Sequence, residues 1–114
     1  MSEIKVANLT TDCTGSAHEL AKFYADLTGR RVNEGASEYF ATVSGEPTLM
    51  FIRVPDRTPG KNSVHLDLHT DDIPAAVEQA VALGARHVKD FDEYGATWAT
   101  LTDPEGNLFD IGKS

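Results

Sequence analysis

The chain has 114 residues, of which 40% are hydrophobic and 25% charged, a composition typical of a single globular domain. A formal net charge of −8, with ten scattered basic residues, argues against nucleic acid as a partner. One cysteine excludes an internal disulfide framework and a cysteine zinc cluster. No apolar run has membrane-spanning length, and the N-terminus lacks the apolar core of a signal peptide, so we expect a cytoplasmic protein with no membrane partner.

The first half of the chain predicts a strand, a helix and then more strands. Apolar alternation at Ile4–Leu9 predicts the first strand. Ser16 and Glu19 match a capping box that opens a helix, and Gly29 is suited to end it. Apolar residues at helical spacing predict the buried stripe of this helix: Ala17, Leu20, Phe23, Tyr24 and Leu27. A strand can start at residues 31–33, and two more are predicted at Glu38–Ser44 and Thr48–Val54.

A connector and a strand with two different faces open the second half. The segment Pro55–Asn62 is rich in proline, glycine and charge, which is typical of a connector. The next segment, Ser63–His69, alternates between apolar and polar residues and predicts a strand. The alternation places Val64, Leu66 and Leu68 on one face, and His65, Asp67 and His69 on the other.

A second helix and three strands complete the chain. Asp71 or Asp72 caps the helix, with Pro74 in its first turn and Gly84 at its end. Its predicted stripe is Ile73, Val77, Ala80 and Val81, and the strands that follow are Arg86–Phe91, Glu93–Thr102 and Asn107–Ile111.

The last two strands are joined by a segment whose residue types are typical of a tight turn. Asp103 suits the first position of this turn, Pro104 presets φ at the second, and Gly106 suits the fourth. Beyond the turn, strand alternation places Leu108 and Asp110 on one face, opposite the face of Phe109 and Ile111.

The order of strand, helix and three strands therefore occurs twice. Without a gap, Phe40–Ser44 aligns with Trp98–Thr102, and the same register places Phe51 over Phe109 and Ile52 over Asp110. One repeat alone has too little core to be stable, so the two should pack as a pair. We predict an α+β protein of two βαβββ modules, about residues 1–60 and 61–114, in one domain.

This organisation resembles the vicinal oxygen chelate superfamily, which contains glyoxalases, bleomycin-resistance proteins and extradiol dioxygenases. The resemblance rests on the doubled βαβββ order, on Val64–Leu68 before the second helix, and on Asp103–Asn107 before the last strand. The chain looks most like the small glyoxalase-like domains of unassigned function. The resemblance implies that each module curls into a half-open sheet around a cavity, and that two chains form a homodimer.

The resemblance also implies where a metal would bind. Metal enzymes of the superfamily carry ligands on the first and last strands of each repeat. His65 matches the histidine of the second repeat's first strand, and Asp110 matches the final carboxylate, which is normally a glutamate. The first repeat departs from this pattern, with Ile52 at its last-strand position and Val6, or a neighbouring residue, on its first strand.

The spacing of nearby residues does not complete a metal site. A catalytic metal usually has three protein ligands and an open position. On a straight strand, His69 lies roughly 13 Å and Asp67 roughly 7 Å from His65. We therefore favour no metal, and if one binds, whether Zn, Ni, Mn or Fe, its ligands are His65 and Asp110. The alternatives are a metal-free catalytic pair lining a ligand cavity, in which Asp110 orients a basic His65, and a structural hydrogen bond.

Six other residues are candidates for the lining of that cavity. They are Phe40, Met50, Ile52, Asp67, Trp98 and Leu108. Trp98 could stack on an aromatic ligand, and the alternative for the apolar members is ordinary core packing.

Three functions remain open at this point. The first is a protein that binds, or acts without metal on, a small and partly apolar organic molecule, which includes sequestration of an antibiotic or metabolite. The second is a divalent-metal lyase, isomerase or dioxygenase with a reduced ligand set. The third is a non-catalytic dimeric scaffold with a filled cavity.

Overall fold

A computed structural model describes residues 6–56, 64–93 and 95–113. The chain divides into two compact units, Met1–Thr58 (unit 1) and Pro59–Ser114 (unit 2). Each unit contains one open sheet with one helix against it, so the predicted α+β class is confirmed. The predicted connector falls almost entirely outside the described residues. No helix in the described ranges is long and apolar enough to cross a membrane.

Unit 1 is a three-stranded sheet covered by a helix. Its elements are β1 (Asn8–Cys13), α1 (Ala17–Thr28), β2 (Phe40–Val43) and β3 (Thr48–Arg53). The strand order is β1-β3-β2, with β1 parallel and β2 antiparallel to the central β3. Alternate residues on β2 and β3 are buried beneath α1, namely Ala41, Val43, Leu49 and Phe51. Among the described residues of unit 1, no helix lies on the opposite face of this sheet.

Helix α1 begins and ends where the sequence predicts. The Ser16 hydroxyl accepts a hydrogen bond from the Glu19 amide at 3.3 Å, and Gly29 ends the helix at φ 71°, a conformation that favours glycine. The predicted stripe is buried except for Leu27, which is half-buried. Tyr24 on this stripe stacks on Phe51 with ring centroids 5.6 Å apart, which fixes the helix against the sheet.

The first strand lies later in the chain than the sequence predicts. Residues 4 and 5 are outside the described residues, and Val6 is 75% exposed and precedes β1. The actual strand is polar, and its register is set by parallel pairing with β3, from Asn8 opposite Thr48 to Cys13 opposite Arg53. The prediction followed apolar alternation, but a sequence-distant partner decides which residues form this strand.

The strand expected at residues 31–33 is reduced to a single bridge between Val32 and Val43. Asn33 holds the chain beside β2 at this bridge, and its backbone amide donates to the Thr42 carbonyl at 2.9 Å. Its side chain donates to Thr42 Oγ1 at 2.8 Å and accepts from Ser44 Oγ at 2.6 Å. Gly35, at φ 89°, lies two residues further on, where the chain has left the sheet.

Unit 2 is a four-stranded sheet with the predicted order of elements. These are β4 (Leu66–Thr70), α2 (Ile73–Ala82), β5 (Arg86–Glu93), β6 (Ala96–Thr102) and β7 (Leu108–Lys113). The strand order is β4-β7-β6-β5, in which β4 and β7 are parallel and the other pairs antiparallel. Buried residues on one face lie on the side of α2: Ala99, Leu101, Phe109 and Ile111. We call the opposite face of this sheet the helix-free face.

Helix α2 is capped as predicted but is less buried than predicted. Asp72 is the cap, and its carboxylate accepts from the Ala75 amide at 3.2 Å. Of the predicted stripe only Ala80 is fully buried, whereas Val81 is 47% exposed. Consecutive helical residues point about 100° apart, so the orientation that places Ala80 on the sheet turns Val81 towards solvent.

The turn between β6 and β7 is held by a buried carboxylate. Asp103 is only 3% exposed, and its Oδ1 accepts from the amides of Glu105 at 2.8 Å and Asn107 at 3.0 Å. Its Oδ2 accepts from the Asn107 side chain at 3.0 Å. The turn therefore fixes the register of β7 on β6, and it confirms the turn predicted from Asp103 and Gly106, the latter at φ 86°.

Replacing Asp103 with alanine should strongly destabilise the protein. The change leaves the amides of Glu105 and Asn107 without their acceptor, so we expect the free energy of unfolding to fall by about 2–4 kcal/mol. Asp103→Asn keeps one side-chain oxygen and should lose less. Urea unfolding followed by circular dichroism measures both changes, and a loss for Asp103→Ala below about 1 kcal/mol would contradict this role.

Candidate functional site

Three neighbouring strands place three polar side chains in a row on the helix-free face of unit 2. Asp67 on β4 is the direct partner of Asp110 on β7, and Asp110 is the direct partner of Thr100 on β6. Directly opposed residues of paired strands project from the same face of a sheet. Register alone therefore brings two carboxylates and a hydroxyl together.

His65 completes this polar cluster, which we define as His65, Asp67, Thr100 and Asp110. The His65 Nδ1 atom lies 3.2 Å from Asp67 Oδ1 and 3.7 Å from Asp110 Oδ2. The Thr100 hydroxyl donates a hydrogen bond of 2.6 Å to Asp110 Oδ1, which fixes the orientation of that carboxylate. Side-chain exposure rises from 21% at Asp110 to 42% at His65 and 63% at Asp67, so water screens these charges.

The structure brings His65 and Asp110 together, as the sequence predicts, but it also adds a residue that spacing had placed too far away. Asp67 was expected roughly 7 Å from His65 along a straight strand. That distance is the rise of the backbone, whereas the side chains extend beyond it and turn towards each other, so that Nδ1 and Oδ1 lie 3.2 Å apart. The sequence-based argument against Asp67 as a companion of His65 was therefore wrong.

The cluster has the donor chemistry of a divalent-metal site. In the described ranges, His65, Asp67 and Asp110 are the one group of three metal-ligating side chains, and their ligand atoms all lie within 4.8 Å of one another. Ligands around a four-coordinate zinc lie roughly 3.3 Å apart, which is close to the 3.2 and 3.7 Å distances at His65 Nδ1. One imidazole and two carboxylates suit Zn, Mn, Fe or Ni. The residues present therefore fit a metal.

An aromatic pair lies next to the polar cluster on the same face. Trp98 on β6 is stacked on Phe91 of β5, with ring centroids 5.0 Å apart and planes 10° from parallel. The Lys89 ammonium lies 4.9 Å from the centre of the Phe91 ring. Gly112 is the direct partner of Trp98 on β7, and because it has no side chain it leaves space beside the indole.

The polar cluster and the Trp98 indole lie at the border of one open pocket of about 550 Å³. This volume is within the usual range for small-molecule sites. Its lining includes Asp67, His69, Trp98, Asp110, Gly112 and Lys113. His65 and Thr100 are not part of the lining, but both contact Asp110. The other predicted cavity residue of unit 2, Leu108, is half-buried on the same face of β7, opposite Thr102.

The remaining predicted cavity residues lie in unit 1. Phe40, Met50 and Ile52 occupy the face of its sheet that carries no helix, and Phe40 is 44% exposed. They therefore occupy the same position in unit 1 as Trp98, Leu108 and Asp110 in unit 2. A role of these three residues in ligand binding stays a prediction.

The strand registers also give the unit 1 counterparts of the polar cluster. Ile52 is the counterpart of Asp110, and its parallel partner is Asp12, which therefore corresponds to Asp67. Two residues earlier, Thr10 corresponds to His65. The first-strand counterpart was expected near Val6, and this was wrong because β1 starts at Asn8. Unit 1 thus offers one carboxylate where unit 2 offers a histidine and two carboxylates.

Sequence reasoning missed several residues of the site, including Gly112 and Lys113 in the pocket lining and the supporting residues Thr100 and Phe91. Thr100 was recognised only as part of the internal repeat, although alternation with Trp98 already placed it on the same face. Phe91 was predicted to end a strand, and no local signal indicated its contact with Trp98. That contact depends on the pairing of β5 with β6, which places the two residues directly opposite each other.

Comparison with known proteins places this fold in a family. A family model described as "Glyoxalase-like domain" matches residues 8–112. No curated protein sequence matches the chain significantly.

Several solved structures share the fold at low sequence identity. A glyoxalase/bleomycin resistance protein/dioxygenase family enzyme from Burkholderia phytofirmans PsJN is 22% identical, with a TM-score of 0.81 over 94% of this chain and 96% of that one. A glyoxalase-related enzyme from Fulvimarina pelagi is 18% identical, with a TM-score of 0.78 over 96% of this chain and 88% of that one. A lactoylglutathione lyase from Agrobacterium tumefaciens is 15% identical, with a TM-score of 0.70 over 100% of this chain and 96% of that one.

The family match and the shared fold confirm the resemblance drawn from the repeated βαβββ order and the two motifs. Since the family model covers nearly the whole length, the chain belongs to the glyoxalase-like domain family of the vicinal oxygen chelate superfamily.

Proposed function

We propose that this glyoxalase-like protein binds, or acts without a metal on, a small and partly apolar organic molecule on the helix-free face of unit 2. The observation that carries the proposal is the open pocket of about 550 Å³ with an indole on one side and two carboxylates on the other. Such a combination of apolar surface and a few converging polar groups is typical of small-molecule sites. The open pocket also favours binding over a scaffold with a filled cavity.

The apolar side of the pocket suits a planar group. Phe91 supports Trp98 from one side, so the indole is held in place before a ligand arrives. Stacking an aromatic or conjugated group on such a ring contributes about 0.5–1.5 kcal/mol beyond the area that it buries. The apolar part of the ligand should therefore lie against Trp98, in the space left by Gly112.

The polar side of the pocket suits a group that donates hydrogen bonds or exchanges a proton. Thr100 holds one oxygen of Asp110, and the carboxylate accepts from a ligand with its remaining capacity. His65 turns Nδ1 towards Asp67 and Asp110, and this leaves Nε2 as the ring nitrogen directed away from the carboxylates. His65 lies beside the pocket lining, next to Asp110. With the proton on Nδ1, Nε2 can take a proton from a part of the ligand that extends out of the pocket past Asp110.

Ligand binding can be followed directly because Trp98 is the only tryptophan of the chain. Native mass spectrometry of untreated protein should show a retained small molecule. When that compound is recovered and titrated back, it should change the fluorescence of Trp98. Calorimetry should show that Trp98→Leu and Asp110→Asn each raise its Kd about tenfold, whereas the exposed α2 variant Glu78→Gln leaves the Kd unchanged.

The ligand experiment also has a clear negative outcome. If no molecule is retained, a panel of aromatic amines, phenols and carbonyl compounds at about 1 mM should still include members that change Trp98 fluorescence. No retained mass together with no response to this panel would contradict the proposed function.

A divalent-metal enzyme is the second candidate, and the close approach of His65, Asp67 and Asp110 favours it. A metal held there would act as a Lewis acid on a ligand oxygen. The three side chains would hold the ion, and Thr100 would orient Asp110. In this alternative the organic molecule still lies against Trp98, so the two candidates differ in the polar end of the site.

Metal content separates the two candidates. If the metal enzyme is correct, untreated protein contains about one equivalent of Zn, Ni, Mn or Fe. His65→Ala, Asp67→Asn and Asp110→Asn should each weaken rebinding of Zn²⁺ to apoprotein by about tenfold or more, as measured by competition with a chelating dye. The matched control is His18→Ala, which removes an exposed histidine of α1. Equal Zn²⁺ affinity of the site variants and this control would eliminate the metal candidate.

A further inference from the structure

Strand β5 is an exposed edge of the unit 2 sheet. It lies last in the order β4-β7-β6-β5, and within the described residues it pairs with β6 alone. Seven of its eight residues are exposed, all except Phe91. An edge strand of this length presents unpaired backbone donors and acceptors, and its many charged side chains restrict pairing to a strand with a complementary pattern of charges.

The charges along β5 are complementary to those of a second antiparallel copy. Arg86 and His87 lie at its start, whereas Asp92 and Glu93 lie at its end. An antiparallel neighbour with the same sequence places each end beside the opposite end of the other copy. We propose that two copies of this chain associate through antiparallel pairing of their β5 strands, with Arg86 opposite Glu93 and His87 opposite Asp92 of the second copy.

The paired side chains of β5 point to the same side of the sheet because the strand contains a bulge. Arg86 and Glu93 are seven residues apart, and in a regular strand they would lie on opposite faces. The register on β6 shifts between His87 and Lys89, so Arg86 is opposite Thr102 and Glu93 is opposite Ala96. Thr102 and Ala96 are six residues apart on regular β6 and share its helix-free face. Arg86 and Glu93 therefore share that face as well.

The same argument holds for the second charged pair. His87 is opposite Leu101, and Asp92 is opposite Thr97, an even number of residues away. Both therefore lie on the side of α2. Since directly opposed residues in antiparallel strands share a face, the two pairs are compatible with one two-fold axis perpendicular to the sheet. Without the bulge, this symmetric arrangement would be impossible.

The axis of the proposed dimer passes beside Asp90. In this register Asp90 meets Asp90 of the second copy, and Lys89 lies beside Phe91 of the second copy. The lysine already lies over the Phe91 ring of its own chain at 4.9 Å, so a second aromatic neighbour suits it. The two Asp90 side chains form the one repulsive pair, and each lies 2.7 Å from His87 Nε2 of its own chain.

Local complementarity is needed here because the chains repel each other overall. Each carries a net charge of −8, which disfavours contact between arbitrary surfaces of two copies. Pairing through β5 places Arg86 and His87 of each copy next to acidic side chains. It also joins two four-stranded sheets into one of eight strands, with both helix-free faces, and hence both pockets, on the same side. This inference is independent of what the pockets bind.

Charge reversal tests the pairing and its register. Wild-type protein should be a dimer by sedimentation equilibrium, and Arg86→Glu or Glu93→Arg should each raise the dimer Kd about tenfold or more. The double variant Arg86→Glu/Glu93→Arg exchanges the two charges, keeps the net charge, and should return the Kd to within about threefold of wild type. Arg31→Glu and Glu34→Arg are matched controls on exposed residues of unit 1, and both should leave the Kd unchanged.

A cysteine at the axis gives a second measurement that does not depend on charge reversal. Opposed Cα atoms in antiparallel strands lie about 4.5–5.5 Å apart, within the range that a disulfide spans. Asp90→Cys should therefore form a covalent dimer on mild oxidation. The control Asp26→Cys, at an exposed position of α1, should not. The native Cys13 does not interfere because it is fully buried. Asp90→Asn removes the repulsive pair and should lower the dimer Kd.

Three results would each overturn the proposal. The first is a wild-type monomer at about 1 mM subunit, a concentration at which even weak specific pairs associate. The second is a dimer whose Kd responds to neither single charge reversal. The third is a failure of the double exchange to restore the Kd together with no covalent dimer of Asp90→Cys.

Discussion

Parallel pairing between the first and last strands is the constraint on which each unit depends. Parallel neighbours cannot be joined by a tight hairpin, so the helix and the intervening strands must lie between them in the chain. In unit 2 this pairing places β4 beside β7, and the buried Asp103 carboxylate in turn fixes β7 on β6. The side chains of the candidate site are therefore neighbours because of the sheet register, although they are distant in sequence.

The two units pair their first and last strands in the same register, but they carry different side chains on the sheet face opposite the helix. In unit 1 the residues at the site positions are Thr10, Asp12 and Ile52, which provide one carboxylate and no imidazole. In unit 2 the same positions hold His65, Asp67 and Asp110. The buried faces are alike, with Phe51 and Phe109 both almost fully buried on the helix side of their sheets. The repeat thus preserves the core, while the polar chemistry is concentrated in the second unit.

On the helix-free face of unit 2, some side chains are held by their neighbours and others are exposed. The Trp98–Phe91 stack and the Thr100–Asp110 hydrogen bond lie on strands paired along their length. His65 precedes its strand and Asp67 is largely exposed, so their positions are less constrained by neighbours. A ligand or a metal ion would gain most from ordering these two side chains, because the rest of the site is already fixed. The β5 edge belongs to the same sheet, so dimerisation there would hold Phe91 and, through it, Trp98.

The sequence by itself determined the elements whose signals are local. The N-caps of both helices, the Gly29 end of α1, the Asp103 turn and the alternation of β7 depend on residues within one or two turns of each other, and all were predicted. The same holds for the buried stripe of α1, apart from half-buried Leu27. The internal repeat gave the order of elements and the family. Tertiary structure alone decided which polar segment became β1, how little of α2 is buried, and that His65, Asp67 and Asp110 converge. Each of these depends on pairing with a sequence-distant strand or on the direction in which a side chain turns, and no spacing along the chain encodes either.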